Sequence, residues 1–201
     1  MKVFIINGGQ HFAHSGGEFQ KTLTSWTEEF FKSKQDNEVR SFNINNEYDP
    51  IKEVENFVWA DLIIYHTPVW WFQVPYRLKG YIDEVFTAGH ETGIYKNDGR
   101  SRSSDNPKLH YGTGGMLQGR KYMLTTSWNA PIEAFTTNGE FFNLKNEDDV
   151  FMGVHLMNKF VGLTRAEGFH FHEMEKGVTP EKIVEDKANY LAHLEKTFYQ
   201  G

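Results

Sequence analysis

Apolar residues in this chain gather into short unbroken runs that alternate with stretches of helical spacing. Lys2–Asn7 is a greasy run bounded by glycines and reads as a buried strand. Beyond a polar loop, Phe19, Leu23, Trp26 and Phe30 fall on one helical face. Ser15 and Glu18 stand before them at the S-x-x-E spacing of a capping box, which predicts a helix starting at Ser15. Glu38–Phe42 reads as a second strand, Asp49-Pro50 as a break and Ile51–Trp59 as a short helix. Leu62–His66 is a third β-rich run, ending at Thr67-Pro68. Pro75 fits the first position of the next helix, whose apolar face is Leu78, Ile82, Val85 and Phe86.

Gly89–Gly119 breaks the rhythm. It is rich in Gly, Asp, Asn, Ser and Arg, without periodicity, and reads as a long functional excursion. Lys121–Thr126 is a fourth strand, broken at SWNAP. Val150–Val161 reads as a helix with Phe151, Val154, Met157 and Phe160 inward and Gly162 as its stop. Arg165–Phe171 is a fifth strand, and Thr179-Pro180 caps a last helix carrying Ile183, Tyr190, Leu191, Leu194 and Phe198. Strand and helix alternate five times, which predicts an α/β fold with a five-stranded parallel sheet and helices on both faces.

Composition narrows the function. The 201 residues read as one domain, 1–201. Net charge is −6 and basic residues do not cluster, so nucleic acid and anionic membranes are poor partners. With no cysteine there are no disulfides, thiol nucleophiles or thiolate metal sites. No run is long enough to span a membrane, and the opening apolar run is too short for a signal peptide, so the expectation is a soluble cytoplasmic protein. Aromatics reach 15%, which allows a pocket for a flat ligand as well as an aromatic core or dimer interface.

Three polar breaks follow three buried strands: Gly8–Gly17, Thr67–Phe72 and Ser127–Pro131. In a doubly wound sheet they meet at the carboxyl ends of the strands, where ligands bind. The first loop matches neither G-x-x-x-x-G-K-[ST] nor G-x-G-x-x-G, and neither does GTGGMLQGRK from Gly112. A loop ending at a helix N-terminus still offers an anion its backbone N–H groups, with Ser15 and His14 as side-chain donors. The plainer alternative is that Ser15 only caps the helix. In the second break, Trp70 and Trp71 cannot both face one core from an extended segment, so at least one faces a groove or a partner.

FAHSGGE, TPVWWFQVPYRLKGYIDEVFTAGH, YGTGGMLQGRKYM and SWNAP together resemble the modulator of drug activity B family. Its members are bacterial NADPH-dependent quinone reductases related to mammalian NAD(P)H:quinone oxidoreductase. The resemblance covers nearly the whole chain and is densest from Tyr65 to Phe135. It implies a flavodoxin-like fold, bound FAD and a homodimer with the flavin near the subunit interface. Carried over by position, it puts the pyrophosphate and ribityl contacts on His14, Ser15, Gly16, Gly17, Phe19 and Thr22. The isoalloxazine wall falls on Pro68, Val69, Trp70 and Trp71, completed by Tyr111 and by Ser127, Trp128, Asn129 and Ala130. Tyr95 resembles a substrate-gating tyrosine of the mammalian enzyme.

The reaction so implied is ping-pong, with hydride passing from NADPH to the flavin and two electrons then to a quinone. Backbone amides of Ser127–Ala130, with Asn129 as a side-chain donor, are placed to stabilise charge on the reduced flavin. The mammalian relatives carry a tyrosine and a histidine after this strand; here the loop is WNAPIEAF and has neither. An FMN-dependent azo- or nitroreductase and a non-enzymatic flavodoxin-like carrier are the alternatives. Arg100, Arg102, Lys108 and Lys121 are candidates for the 2′-phosphate of NADPH, or solvated surface charges. A metal hydrolase finds little support: neither His11-x-x-His14 nor His170-x-His172 encloses an acidic residue. No metal is expected, and these histidines read as loop and surface residues.

Overall fold

The computed structural model describes residues 1–12 and 15–200. In chain order it forms β1 (Lys2–Asn7), α1 (Glu18–Lys32), β2 (Glu38–Asn43), α2 (Pro50–Trp59), β3 (Leu62–Pro68), α3 (Tyr76–Ala88) and β4 (Lys121–Ser127). These are followed by α4 (Glu133–Thr136), α5 (Glu147–Val150), α6 (Met152–Phe160), β5 (Thr164–Arg165), β6 (Phe169–Phe171) and α7 (Pro180–Tyr199). The sheet runs β2-β1-β3-β4-β5, with β6 pairing farther along β4, and every pair is parallel.

The central strands are buried on both faces, which is why they read as continuous apolar runs. In β1, Phe4 and Ile6 enter one core while Val3 and Ile5 enter the other. The first core is roofed by Val54 and Phe57 of α2, Leu78, Ile82 and Val85 of α3, and Val154 of α6. Leu23, Trp26 and Phe31 of α1 roof the second, with Tyr190 and Leu194 of α7. Helices therefore cover both faces, as the alternation predicts.

Four local expectations change. Helix α1 begins at Glu18, not Ser15: Gly17 is its N-cap at φ 70°, with no side-chain cap. Ser15 instead pairs with Phe12, each backbone N–H donating to the other's carbonyl at 3.0 and 2.9 Å. Pro75 is the N-cap of α3 and not its first helical residue. The helix expected from Val150 is split at Phe151 (φ −92°, ψ 20°) into α5 and α6, because Asn146 and Asp149 form a capping box that starts α5 earlier.

The fifth strand is also two, β5 and β6, both on the edge of β4. The chain re-enters at Gly168, where a Cβ would lie 2.7 Å from the Leu124 carbonyl oxygen. The excursion 89–119 has neither helix nor strand, yet it is pinned. Ile94 and Leu117 are fully buried, and the amides of Lys96 and Met116 donate to Gly114 and Ile94 at 2.8 Å.

Thr179 caps α7 by accepting from the Lys182 amide at 3.1 Å. Thr179→Ala is expected to cost about 1 kcal/mol, a fall of about 2–4 °C in Tm for a domain of this size. A thermal melt checks it.

Candidate functional site

The three breaks do meet. Gly8 donates its amide to the His66 carbonyl at 2.7 Å, and Val69 donates to the Ser127 carbonyl at 3.0 Å, so the ends of β1, β3 and β4 are stitched side by side. Between them lies a cavity of about 700 Å³, lined by Ser15–Gln20, Pro68–Trp71, Ser127–Asn129, Met174 and Glu175. It gathers Ser15, Gly16, Gly17, Phe19, Pro68, Val69, Trp70, Trp71, Ser127, Trp128 and Asn129 from the expected shell.

The rest of that shell falls elsewhere. Ala130 lines an adjoining hollow. Thr22 is exposed on α1, two residues beyond the last that lines the cavity. Tyr95 and Tyr111 share a separate cavity of about 660 Å³ with Leu156 and Phe160, against α3 and α6. His14 lies outside the described residues. Gln20, Met174 and Glu175 were missed by sequence reasoning; for the last two, the available signal was that they follow β6 at the same sheet edge.

One wall of the cavity is the bare end of a helix. Because Gly17 takes a left-handed turn and no side chain caps α1, the amides of Glu18, Phe19 and Gln20 find no acceptor among the described residues. Unpaired amides and the helix dipole favour an anion here. Glu18 would oppose one, but its carboxylate is exposed and paired with Lys21 at 2.7 Å. Gln20 ties this end to the next wall by donating its Nε2–H to Ser127 Oγ at 2.6 Å.

The opposite walls suit a flat ring. Trp70 is half-buried, held in a two-way backbone exchange with Gln73 at 2.9 and 3.0 Å and packed on Phe12 at 5.1 Å. Trp71, at φ 48°, is 93% exposed, so at least one of the tandem tryptophans is kept out of the core, as expected. Across the cavity, the amides of Asn129 and Ala130 donate to nothing among the described residues.

Behind this loop sits a polar network that corrects the reading of His170 and His172 as surface residues. Their side chains are only 14% and 15% exposed. Trp128 Nε1–H donates to Thr126 Oγ1 at 2.7 Å, and the same hydroxyl is hydrogen-bonded to His170 Nδ1, also at 2.7 Å. Burial lowers the pKa of His170, consistent with a neutral ring accepting at Nδ1. His155 accepts from Tyr122 at Nδ1 (2.7 Å) and donates from Nε2 to Asp148 at 2.9 Å. Burial pushes the Tyr122 phenol up to about 12, which keeps it a donor.

That hydrogen bond from His155 holds the Asp148 carboxyl below the usual carboxylate range, and Arg165 adds a second contact at 3.1 Å. His172 Nε2 meets Glu147 at 2.8 Å. Burial is the largest single influence and would raise the Glu147 pKa, but the His172 hydrogen bond, a backbone amide and the charges of His170 and His172 together turn the net shift downward. Acidic α5 is thus the cover that removes both histidines from solvent. Among the described residues, no three His, Asp or Glu side chains converge to hold a metal ion. Asp148→Ala leaves His155 and Arg165 without their carboxylate, and is expected to cost about 2 kcal/mol, or about 4–8 °C in Tm.

The family profile of the flavodoxin-like fold matches residues 1–194. NADPH:quinone oxidoreductase MdaB of Haemophilus influenzae is 43% identical over 198 residues, covering 98% of this chain and 100% of that protein. The chain belongs to the modulator of drug activity B family. Solved structures agree on the fold. A protein described as a quinone reductase from Klebsiella pneumoniae superposes with a TM-score of 0.76 at 20% identity, over 99% of this chain and 85% of that one. General stress protein 14 of Treponema denticola, solved in complex with FMN, gives 0.66 at 20% identity, over 98% of each chain. Among the described residues no helix is long and apolar enough to cross a membrane.

Proposed function

We propose that the chain is an NAD(P)H:quinone oxidoreductase whose cavity holds a flavin, with NADPH as donor. The observation that carries this reading is the uncapped N-terminus of α1 opening into the same cavity as Trp70 and Asn129, whose amide has no acceptor among the described residues. A phosphate and a flat, electron-accepting ring need those two environments side by side. Sequence identity of 43% across the whole of the Haemophilus influenzae enzyme supports the same reading.

The residues fit the group. Ser15, Gly16, Gly17 and Phe19 would hold phosphate and ribityl, and Pro68, Val69, Trp70 and Trp71 the ring. FAD is preferred over FMN because a further hollow of about 430 Å³, lined by Gly16, Lys21, Asn45 and Arg77 among others, continues from the anion end. When bound, the flavin supplies hydride acceptance from NADPH and two-electron delivery to a quinone, in ping-pong order. The protein's own share is electrostatic: the Asn129 amide and side chain at the cavity wall, with the Ala130 amide next in the same loop, would stabilise negative charge, as an oxyanion hole does.

The active unit is proposed to be a homodimer. The second cavity supports this, since Tyr111, Leu156 and neighbouring Met152 leave apolar surface exposed there. Tyr95 and Tyr111 then complete the partner's site and not their own. NADPH oxidation by the flavin-loaded protein tests the function: strong stimulation by menadione is expected, and oxidation indifferent to menadione would exclude a quinone reductase.

A further inference from the structure

The loop 128–130, which contributes Trp128 and Asn129 to the proposed flavin cavity, is held from behind by the segment 171–174. Trp128 donates its amide to the Phe171 carbonyl at 2.8 Å and accepts from the Met174 amide, also at 2.8 Å. The Ala130 carbonyl accepts from the Glu173 amide at 3.3 Å. A trans peptide points its carbonyl and the next N–H in opposite directions. Met174, by holding the Trp128 carbonyl, therefore turns the Asn129 N–H away from its own amide, and that N–H meets no acceptor among the described residues.

One side chain joins this clamp. His172 is only 15% exposed, with Nδ1 at 3.3 Å from the same Ala130 carbonyl and Nε2 at 2.8 Å from Glu147 Oε1. The Phe135 ring packs on it at 5.4 Å and 70°. A carbonyl oxygen can only accept a hydrogen bond, and so can an ionised carboxylate. Glu147 is ionised at neutral pH, since its net shift is downward. Both ring nitrogens of His172 therefore carry a proton, and the ring is an imidazolium. Its neighbours differ: a hydroxyl faces Nδ1 of both His155 and His170, so a neutral ring satisfies each of them.

We infer that His172 is a positioning residue: as an imidazolium between Glu147 and the Ala130 carbonyl, it sets the Asn129 amide toward the ligand of the cavity. The inference rests on the flavin reading and adds the device that orients one wall. The other charged or titratable groups around the ring are Asp148 on α5, His155 on α6, Arg165 on β5, His170 on β6 and Glu173 next in the chain. Asp148 is engaged by His155 and Arg165, which leaves Glu147 as the carboxylate that answers His172. When the ring loses a proton, the carboxylate keeps the remaining N–H because it is the stronger acceptor. The Ala130 carbonyl is then released from His172, and ligand affinity falls as pH rises.

The test starts on the ligand-free protein. Nitrogen NMR of the histidine rings at pH 7 is expected to show both nitrogens of His172 protonated, and only one in Glu147→Gln. As pH is raised, the Asn129 backbone amide resonance is expected to move with the same midpoint as the His172 ring, and to lose that midpoint in His172→Gln. FAD titrated by fluorescence is expected to bind about three- to tenfold more weakly above the midpoint than below it. His172→Gln is expected to bind with the weaker constant throughout, changing by less than about twofold over the same range.

A neutral His172 ring in the native protein at pH 7, or an Asn129 resonance that does not follow the ring, overturns the inference. So does an FAD affinity with the same pH dependence in His172→Gln as in the native protein, the result of a side chain that only supports the fold. If the native protein binds no FAD while Asn129 still follows the His172 ring, the flavin reading falls and the positioning of Asn129 by His172 stands.

Discussion

Gly17→Val is expected to weaken flavin binding about ten- to a hundredfold while leaving the sheet folded. Gly17 ends the first loop at φ 70° and sets the direction in which α1 starts. A Cβ there would sit 3.2 Å from the Gln10 amide nitrogen and 3.3 Å from the Gly9 carbonyl carbon, both backbone atoms that cannot swing aside. Together with the left-handed φ, this costs about 1–3 kcal/mol, and each 1.4 kcal/mol of lost binding is about tenfold in Kd. The chain relieves the strain by turning the peptides around position 17, and so moves the amides that face the cavity. Gly17→Ala should fall between. Gly139→Val, with a comparable φ of 86° and open space around its Cβ, is the control. It shares the backbone strain but leaves flavin affinity alone. A fluorescence titration measures all three, and equal Kd values for Gly17→Val and native protein would remove the helix end from the site.

The second large effect is on acid stability. His66 sits in β3, fully buried, with Nε2 at 3.0 Å from Thr27 Oγ1 and no partner for Nδ1 among the described residues. Burial pushes its pKa down to about 3. The unfolded chain therefore takes up a proton near the ordinary histidine value while the folded protein does not. Stability from this group is complete above that value and is lost as pH falls toward the folded pKa. The slope is about 1.4 kcal/mol per pH unit, so about 2 kcal/mol goes between roughly pH 6.5 and pH 5. His170, also lowered by burial, acts in the same direction. Urea unfolding across that range is expected to show the loss in native protein and a flatter profile in His66→Gln. Identical slopes in the two would mean that another group carries the acid sensitivity.

The strands at the heart of the sheet were legible because burial on both faces leaves an uninterrupted apolar run, as in Val3–Ile6 and Leu62–Tyr65. Helix faces at Leu23 and Trp26, and at Leu78, Ile82 and Val85, were legible from their period alone. The start of α1 was not. Ser15 and Glu18 have the right identities for a capping box, but the backbone turn at Gly17 decides where the helix begins, and residue spacing does not encode φ.

His170 and His172 failed for a different reason. They alternate with Phe169 and Phe171, so a strand pattern puts them outside, and outside is normally solvent. Their cover is α5, more than twenty residues upstream, whose Glu147 and Asp148 a local pattern cannot connect to β6. The cavity lining was mostly legible because breaks after parallel strands converge on one edge. Tyr95 and Tyr111, lying in a pinned excursion, required the three-dimensional path of the chain to be placed.

The most direct test of the account is the chromophore itself. Protein purified without added cofactor is denatured by heat, and the released small molecule is separated against FAD and FMN standards and counted per chain. A yellow protein that releases FAD, close to one per chain, is the expected result. FMN in its place would keep the anion end and the ring wall but contradict the dinucleotide. A colourless protein that takes up neither flavin would contradict the central claim.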